Sequence, residues 1–383
     1  MRLTALTVSG FKNLKDVSLH PDAHYNVIVG ENAQGKTNLL EAIWILSGCR
    51  SFRGTRERDY LCFADSGPMQ IQAAFDDGRR VQTITCTMQP SAGKEKRFLL
   101  NGIPVTSTGS LFDLFHCVAF TPEDLALINE GPEVRRNFVD LCYSQLTPRA
   151  VGAVRRYQMI LQQRNAVLKQ ALPASAAQAY LDVWDRQLAK TGAYLTVQRS
   201  RYLQQLAAVC TELYGAISAQ QEAVTLRYQA NVFGRDPDFS DCTEEQLAAQ
   251  YYEKLVRARE EDRALGFTTC GVHRDEMQIL INGVSAREFG SQGQKKSLAL
   301  TLRLAHAQIY ARKWKQTPLI LLDDVMGELD EARQAVVSTI VQEMQVFVTT
   351  CHPESLLSPK NGKRFLLKDG MLTGDVENRP ETA

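Results

Sequence analysis

The chain has almost no net charge. Over 383 residues the formal balance is +1. That excludes a globally basic coat for nucleic acid, so any phosphate-binding surface must be local. The nine cysteines are scattered and form no C-x-x-C pair. This argues against a disulfide framework, a zinc ribbon or a zinc hook, and predicts a reducing, cytoplasmic setting. The opening residues, Met1-Arg2-Leu3-Thr4-Ala5-Leu6, lack the apolar core of an export leader. No stretch approaches the roughly 20 apolar residues that span a bilayer, so no membrane partner is expected. A long heptad array is missing too: the helical text runs for only about 70 residues, too short for a mechanical coiled coil.

What is present starts at Gly30-Glu31-Asn32-Ala33-Gln34-Gly35-Lys36-Thr37, a complete G-x-x-x-x-G-K-T. Such a P-loop wraps phosphates with successive backbone N–H groups and aims a helix N-terminus at them. Lys36 then neutralises the β- and γ-phosphates, and Thr37 offers a hydroxyl to Mg²⁺. Asn26–Val29 reads as the strand leading in. Asn38 and the apolar face Leu39, Leu40, Ile43, Leu46 read as the helix leading out. ATP with Mg²⁺ is the implied ligand.

Around this motif, residues 1–120 read as strands with one helix. Leu3–Val8 is strand-like, and Ile71, Ala73 and Phe75 alternate with polar neighbours. Asp77-Gly78 and Asn101-Gly102 are hairpin turns, and Asn282-Gly283 repeats the latter. From Thr147 to Gln221 the text is helical. Thr147-Pro148 opens it, and Val151, Val154, Tyr157, Leu161 and Leu168 recur at helical spacing. After Pro173, with Ser175 as a cap, Tyr180, Trp184, Leu188, Leu195, Tyr202 and Leu206 hold one face of a long helix. Residues 228–245 read as loop, 244–264 as an amphipathic helix, and a β/α pattern resumes at Phe267. The polar tail Gly370–Ala383 is predicted to fray.

Pro318–Asp324 reads as a buried parallel strand ending in two carboxylates. Asp323 can hold the Mg²⁺ shell, and Asp324 can orient the attacking water. Ser291-Gln292-Gly293-Gln294 precedes a buried helix, Lys295–Lys313. Ser291, Gly293 and Gln294 at a helix start make a second phosphate-binding surface, and one chain with two such surfaces most simply uses the second on a partner copy's nucleotide. A plain serine cap with a tight glycine turn is the alternative for that tetrad.

The order Gly30–Thr37, Ser291–Gln294, Leu319–Asp324, Glu328-Leu329-Asp330 resembles the ABC-type ATPase heads of the SMC/Rad50 class. The resemblance implies that Asp330 lies in an interface loop. It also makes His352 a candidate switch histidine, one residue later than usual; a solvated or capping histidine is the alternative. Three segments narrow the likeness to the RecF family of bacterial recombination mediators. They are Phe120–Asp140, Thr269-Cys270-Gly271-Val272-His273-Arg274-Asp275-Glu276, and Gly10–Asn13 with Ser51-Phe52-Arg53. Val272 stands where that family usually has proline, and Gly327 where it more often has Ser or Ala. Asp324 in place of the general ABC glutamate suits slow, switch-like hydrolysis.

The resemblance implies an α/β, ABC-type P-loop ATPase head split by an inserted α-helical arm. The lobes are placed at 1–125 (P-loop), 126–262 (arm) and 263–383 (signature motif, Ser291–Gln294, and carboxylate pair). It further implies ATP-induced homodimers, a weak DNA-stimulated ATPase, a part in loading a RecA-type recombinase, and RecO and RecR as partners. A transporter ATPase subunit would share the motifs but would not carry the basic insert.

That insert is the local charge asymmetry the net charge hides. Residues 141–181 contain no acidic side chain. Arg149, Arg155, Arg156, Arg164 and Lys169 are candidate contacts to DNA, single-stranded, double-stranded or at a junction. No base-reading motif appears, so recognition is expected through backbone or duplex shape. Arg135 and Arg136 either join that surface or couple the arm to the head.

Overall fold

The computed structural model describes residues 1–62, 67–90, 95–147, 149–170, 173–353 and 362–377. The chain forms two compact units, each made from separate stretches. The first comprises Met1–Leu125, Leu213–Gln221 and Ser297–Ala383; the second comprises Ala126–Glu212 and Glu222–Lys296.

The first unit is built on a 12-stranded sheet whose two halves obey different rules. In one half Lys363–Lys368, Tyr25–Val29, Val346–Thr350, Leu319–Asp323 and Cys117–Phe120 lie side by side, all parallel. The last three are buried at every position, as strands covered on both faces must be. The other half is an antiparallel meander of Ile103–Pro104, Arg97–Leu100, Val81–Met88, Met69–Asp76, Arg2–Phe11 and Leu14–Leu19. There burial alternates, as along Met69–Asp76, because each strand turns successive side chains to opposite faces. Met371–Glu377 joins the halves: it is antiparallel to Lys363–Lys368 and meets Leu14–Leu19 at Met371 and Asp16. The tail predicted to fray is therefore a strand through Glu377; residues 378–383 lie outside the described set.

The P-loop helix, Lys36–Leu46, is buried almost all round. It follows a parallel strand, so its N-terminus opens at the carboxyl ends of Tyr25–Val29, Val346–Thr350 and Leu319–Asp323, where doubly covered sheets place their ligand sites.

In the second unit the helices Pro132–Leu146, Arg149–Leu168 and Glu244–Leu265, with the long helix Ala174–Ile217 up to Glu212, enclose a core of Tyr157, Ile160, Leu188, Leu195, Tyr251 and Leu255. Glu244–Leu265 starts with a reciprocal Thr243–Gln246 capping box and stops at Gly266, φ 74°. Pro148 lies outside the described residues. Ser175 sits inside the long helix rather than capping it, because Ala177 N–H already bonds the Pro173 carbonyl. Tyr180, placed by spacing on the buried face, is 57% exposed.

Two further readings need correction. Residues 228–245 are not all loop: Val224–Ala230 is a strand that pairs antiparallel with Glu276–Ile281, and Gly234–Arg235 folds back onto it. That pairing also carries residues 263–296 into the second unit, so the expected second lobe, 263–383, is divided between the units. Among the described residues, each unit has one Asn-Gly hairpin. Asn101 and Gly102 have φ of 50° and 81°, Asn282 and Gly283 φ of 50° and 82°, the left-handed pair that two-residue hairpins require.

Candidate functional site

The P-loop leaves its strand at Val29 and turns through two left-handed residues, Ala33 at φ 65° and Gly35 at φ 107°. Both glycines are forced. A Cβ on Gly30 would come within 2.4 Å of the Leu367 carbonyl oxygen, and one on Gly35 within 2.8 Å of Asn13 Oδ1. Asn13 braces the loop: its Nδ2 donates to the Ala33 carbonyl at 3.2 Å, and its Oδ1 accepts from Asn38 Nδ2 at 2.7 Å. Gln34 Oε1 accepts from the Asp369 N–H. A cavity of about 720 Å³, lined by Lys12, Asn13, Ala33, Gln34, Asn38 and Arg53 among others, opens beside it; that is nucleotide-sized.

The charges suit an anion. Lys36 is 7% exposed. Its ammonium donates to the Gly30 and Glu31 carbonyls at 2.8 and 2.9 Å and touches Cys351 Sγ at 3.1 Å. Among the described residues no carboxylate pairs with it. The helix it opens carries no acidic residue in its first turn and no side-chain cap, so its positive end stays unneutralised. Cys351 Sγ also reaches Asn32 Oδ1 at 3.1 Å.

Beside this cation stands a carboxylate cluster. Asp323 ends its strand 3% exposed. Its Oδ1 accepts from Thr37 Oγ1 at 3.0 Å and Thr349 Oγ1 at 2.7 Å. Burial pushes the Asp323 carboxyl above the usual carboxylate range, opposed by those two hydroxyls. Thr37 and Asp323 form a hard-oxygen pair that fits Mg²⁺, with phosphate and water left to fill the octahedron. Asp324 follows, exposed, at φ 55°, and its N–H donates to Thr349 Oγ1. Only Gly, Asn and Asp visit that region routinely, which gives a local reason for Asp rather than Glu. Thr349 was not singled out in the sequence, yet its hydroxyl ties the Asp323 carboxylate to the Asp324 main chain; the signal was its place at the end of a neighbouring parallel strand.

Of the remaining candidates, Asp330 is exposed and caps the helix Glu331–Ile340 through Arg333 N–H. His352 is exposed, its N–H bonded to Thr350 Oγ1. In the second unit Ser291, Gln292 and Gly293 are exposed at the start of the helix Gln292–Trp314, which begins three residues earlier than predicted. Ser291 and Gln294 form a reciprocal capping box: Ser291 Oγ accepts from Gln294 N–H, and Gln294 Oε1 from Ser291 N–H. The serine cap is thus real, and the Ser291 hydroxyl proton is still available to donate.

Comparison with known proteins agrees with this geometry. Residues 2–366 match the RecF/RecN/SMC N terminal domain. The DNA replication and repair protein RecF of Synechococcus sp. (strain JA-2-3B'a(2-13)) is 37% identical over 355 residues, covering 92% of each chain. That of Nostoc punctiforme is 35% identical, over 92% of this chain and 93% of its own. The chain belongs to the RecF family. Among solved structures, the recombination mediator protein RecF-ATPrS of the RecFOR pathway superposes with a TM-score of 0.86 at 30% identity, covering 97% of both chains. The Smc head of Pyrococcus furiosus, at 16% identity and TM-score 0.55, shares the fold alone. The architecture is that of an ABC-type α/β ATPase head of the RecF and SMC kind.

The RecF-like segments do structural work. In the first unit Asp124 accepts from Thr121 N–H and pairs with Arg303 at 2.6 Å. In the second, Gly271 at φ 136° leaves no room for a Cβ, which would meet the Tyr157 and Tyr251 hydroxyls at 2.5 and 2.6 Å. The next residue explains the departure from the family: Val272 N–H donates to Tyr251 Oη at 2.9 Å, a bond proline cannot make. His273 is clamped between Tyr157 Oη and the Thr268 carbonyl, and burial lowers its pKa to about 4.

The arm arginines divide. Arg164 is fully buried between Asp185 and Asp262, so it is withdrawn as a DNA contact: its guanidinium is spent on two carboxylates. Arg155, Arg156 and Lys169 are exposed, and Arg149 begins its helix. Arg135 makes a bidentate pair with Glu276, and Arg136 donates to the Asp275 carbonyl. Both act as staples inside the second unit. Among the described residues no helix is long and apolar enough to cross a membrane.

Proposed function

We propose that this protein is an ATP-gated DNA-binding switch of DNA replication and repair. Two copies close on ATP, the P-loop of one facing the signature loop of the other, and hydrolysis reopens them. The observation that carries this reading is the buried Lys36, whose partners are all neutral, in a chain that also exposes Ser291-Gln292-Gly293 at a helix start. Each is an anion site lacking its anion's other half.

In this reading Lys36 and the 30–35 amides hold the β- and γ-phosphates. Thr37 and Asp323 hold Mg²⁺, which would neutralise charge developing on the phosphoryl oxygens. Asp324 orients the attacking water, Asp330 lines the dimer interface, and His352 senses the γ-phosphate. Hydrolysis is slow and DNA-stimulated. Arg155, Arg156 and Lys169, with Arg149, contact the DNA backbone without reading bases. Likeness to a mediator of the RecFOR pathway supports RecO and RecR as partners, a cytoplasmic location and a role in loading a RecA-type recombinase.

The test is light scattering of Asp324→Asn with ATP, with and without duplex DNA. ATP-dependent dimers are expected, with turnover reduced about 100-fold or more. A chain that stays monomeric with ATP and DNA would sink the reading.

A further inference from the structure

The capping box at Ser291 has a third member that the signature motif does not include. Gln294 gives its amide oxygen to Ser291 N–H and its amide nitrogen to Glu222 Oε1, at 2.6 Å. Both ends of that side chain are therefore committed. Its own N–H is committed as well, to Ser291 Oγ. With Gln294 fixed in this way, the Ser291 hydroxyl oxygen is anchored by the bond it accepts and its proton remains to be donated. The N–H groups of Gln292 and Gly293, among the first of the helix, have no partner within it. The result is three donors gathered at one helix start: the Ser291 hydroxyl and the N–H groups of Gln292 and Gly293.

Glu222 is itself held. Ala223, next in sequence, exchanges two hydrogen bonds with Asn282: Asn282 N–H donates to the Ala223 carbonyl at 2.8 Å, and Ala223 N–H donates to Asn282 Oδ1 at 2.9 Å. Asn282 is the left-handed residue of the hairpin joining Glu276–Ile281 to Val284–Ser285. Along the chain, Glu222 comes five residues after the end of the 44-residue helix Ala174–Ile217.

We propose that Glu222 is the positioning residue of the signature loop: it holds Gln294, and through it Ser291, in the geometry that receives a second copy's nucleotide. The proposal rests on the dimeric reading above. Glu222 touches no nucleotide in it, and the P-loop of the same chain does not depend on it.

The comparison that decides is Glu222→Ala against Glu222→Gln. The glutamine retains an acceptor for Gln294 Nε2; the alanine does not. Glu222→Ala should weaken ATP-dependent dimerisation by about tenfold or more, because a symmetric dimer carries the lost bond twice. A fluorescent ATP analogue titrated into dilute monomer should bind all three proteins equally. Hydrogen exchange at the Gln294 amide should quicken in Glu222→Ala, and Glu222→Gln should restore both exchange and dimerisation most of the way. Wild-type dimers with an unaffected Glu222→Ala would overturn this proposal alone. A wild type that never dimerises with ATP would overturn the dimeric reading and this proposal with it. Equal loss of dimers in both variants would also overturn it, by assigning the effect to the charge and not to the hold on Gln294.

Discussion

Lys36 in the first unit and three arginines in the second are buried in opposite ways. In the first, Lys36 lies among carbonyl oxygens and a thiol. In the second, Arg164 lies between Asp185 and Asp262, Arg199 between Asp140 and Asp275, and Arg135 against Glu276. Burial alone does not separate a ligand-binding cation from a structural one. The partner does. A cation buried among neutral groups still has charge to offer, whereas one facing carboxylates has already given it up.

The sharpest break of that comparison is Arg164→Ala. It takes the arginine from buried Asp262 and leaves Asp185 with Arg259 alone, which should cost about 3–5 kcal/mol, read as an earlier urea transition; an unchanged midpoint would deny Arg164 its structural role. Next comes Lys36→Ala. Nucleotide affinity should fall about 100-fold while thermal unfolding stays put, because no carboxylate is left unpaired. A large drop in melting temperature would place Lys36 with the structural cations.

A smaller effect is read through pH. His273 takes up its proton near pH 4 when folded and near 6.5 when unfolded. Between those values the unfolded chain binds more protons. This contribution is therefore complete above pH 6.5 and declines toward pH 4, by about 1.4 kcal/mol per unit. The urea midpoint at pH 5 should drop relative to pH 7, and less so in His273→Gln; equal drops would remove His273 as the cause. The smallest effect concerns the exposed arginines. Arg155→Glu with Arg156→Glu should flatten the salt dependence of DNA binding by about one to two units of slope, whereas Arg186→Glu, replacing a partner of Asp182, should change the slope less. Equal slopes across all three proteins would take Arg155 and Arg156 off the DNA face.

The arrangement of the candidate phosphate site was legible because its residues are local in sequence. Gly30 to Thr37 is one turn of backbone, and Leu319 to Asp323 is one buried strand with its carboxylate at the tip. The charge state of the arm was not legible. Arg164 looked unopposed because the nearby helix lacks acids, but Asp262 lies 98 residues away and Asp185 lies 21. Arg199 likewise meets Asp140 and Asp275 at separations of 59 and 76. Composition windows see neighbours in sequence, and these pairs are neighbours only in space. The strand Val224–Ala230 was missed for the same reason. Tyr228-Gln229-Ala230 runs into a Gly- and Asp-rich turn, and its identity as a strand comes from Glu276–Ile281, whose first residue faces Gln229.

The left-handed backbone at Asp324 has a consequence for quality control. Asp and Asn are both at home there, and the side chain is exposed, so exchanging one for the other leaves folding stability nearly untouched. Cells remove defective proteins largely by sensing how often they unfold. In the proposed function, a single substitution here would slow turnover while giving chaperones and proteases nothing to detect. The silent copy would then persist at full abundance and, in the proposed dimer, pair with working ones.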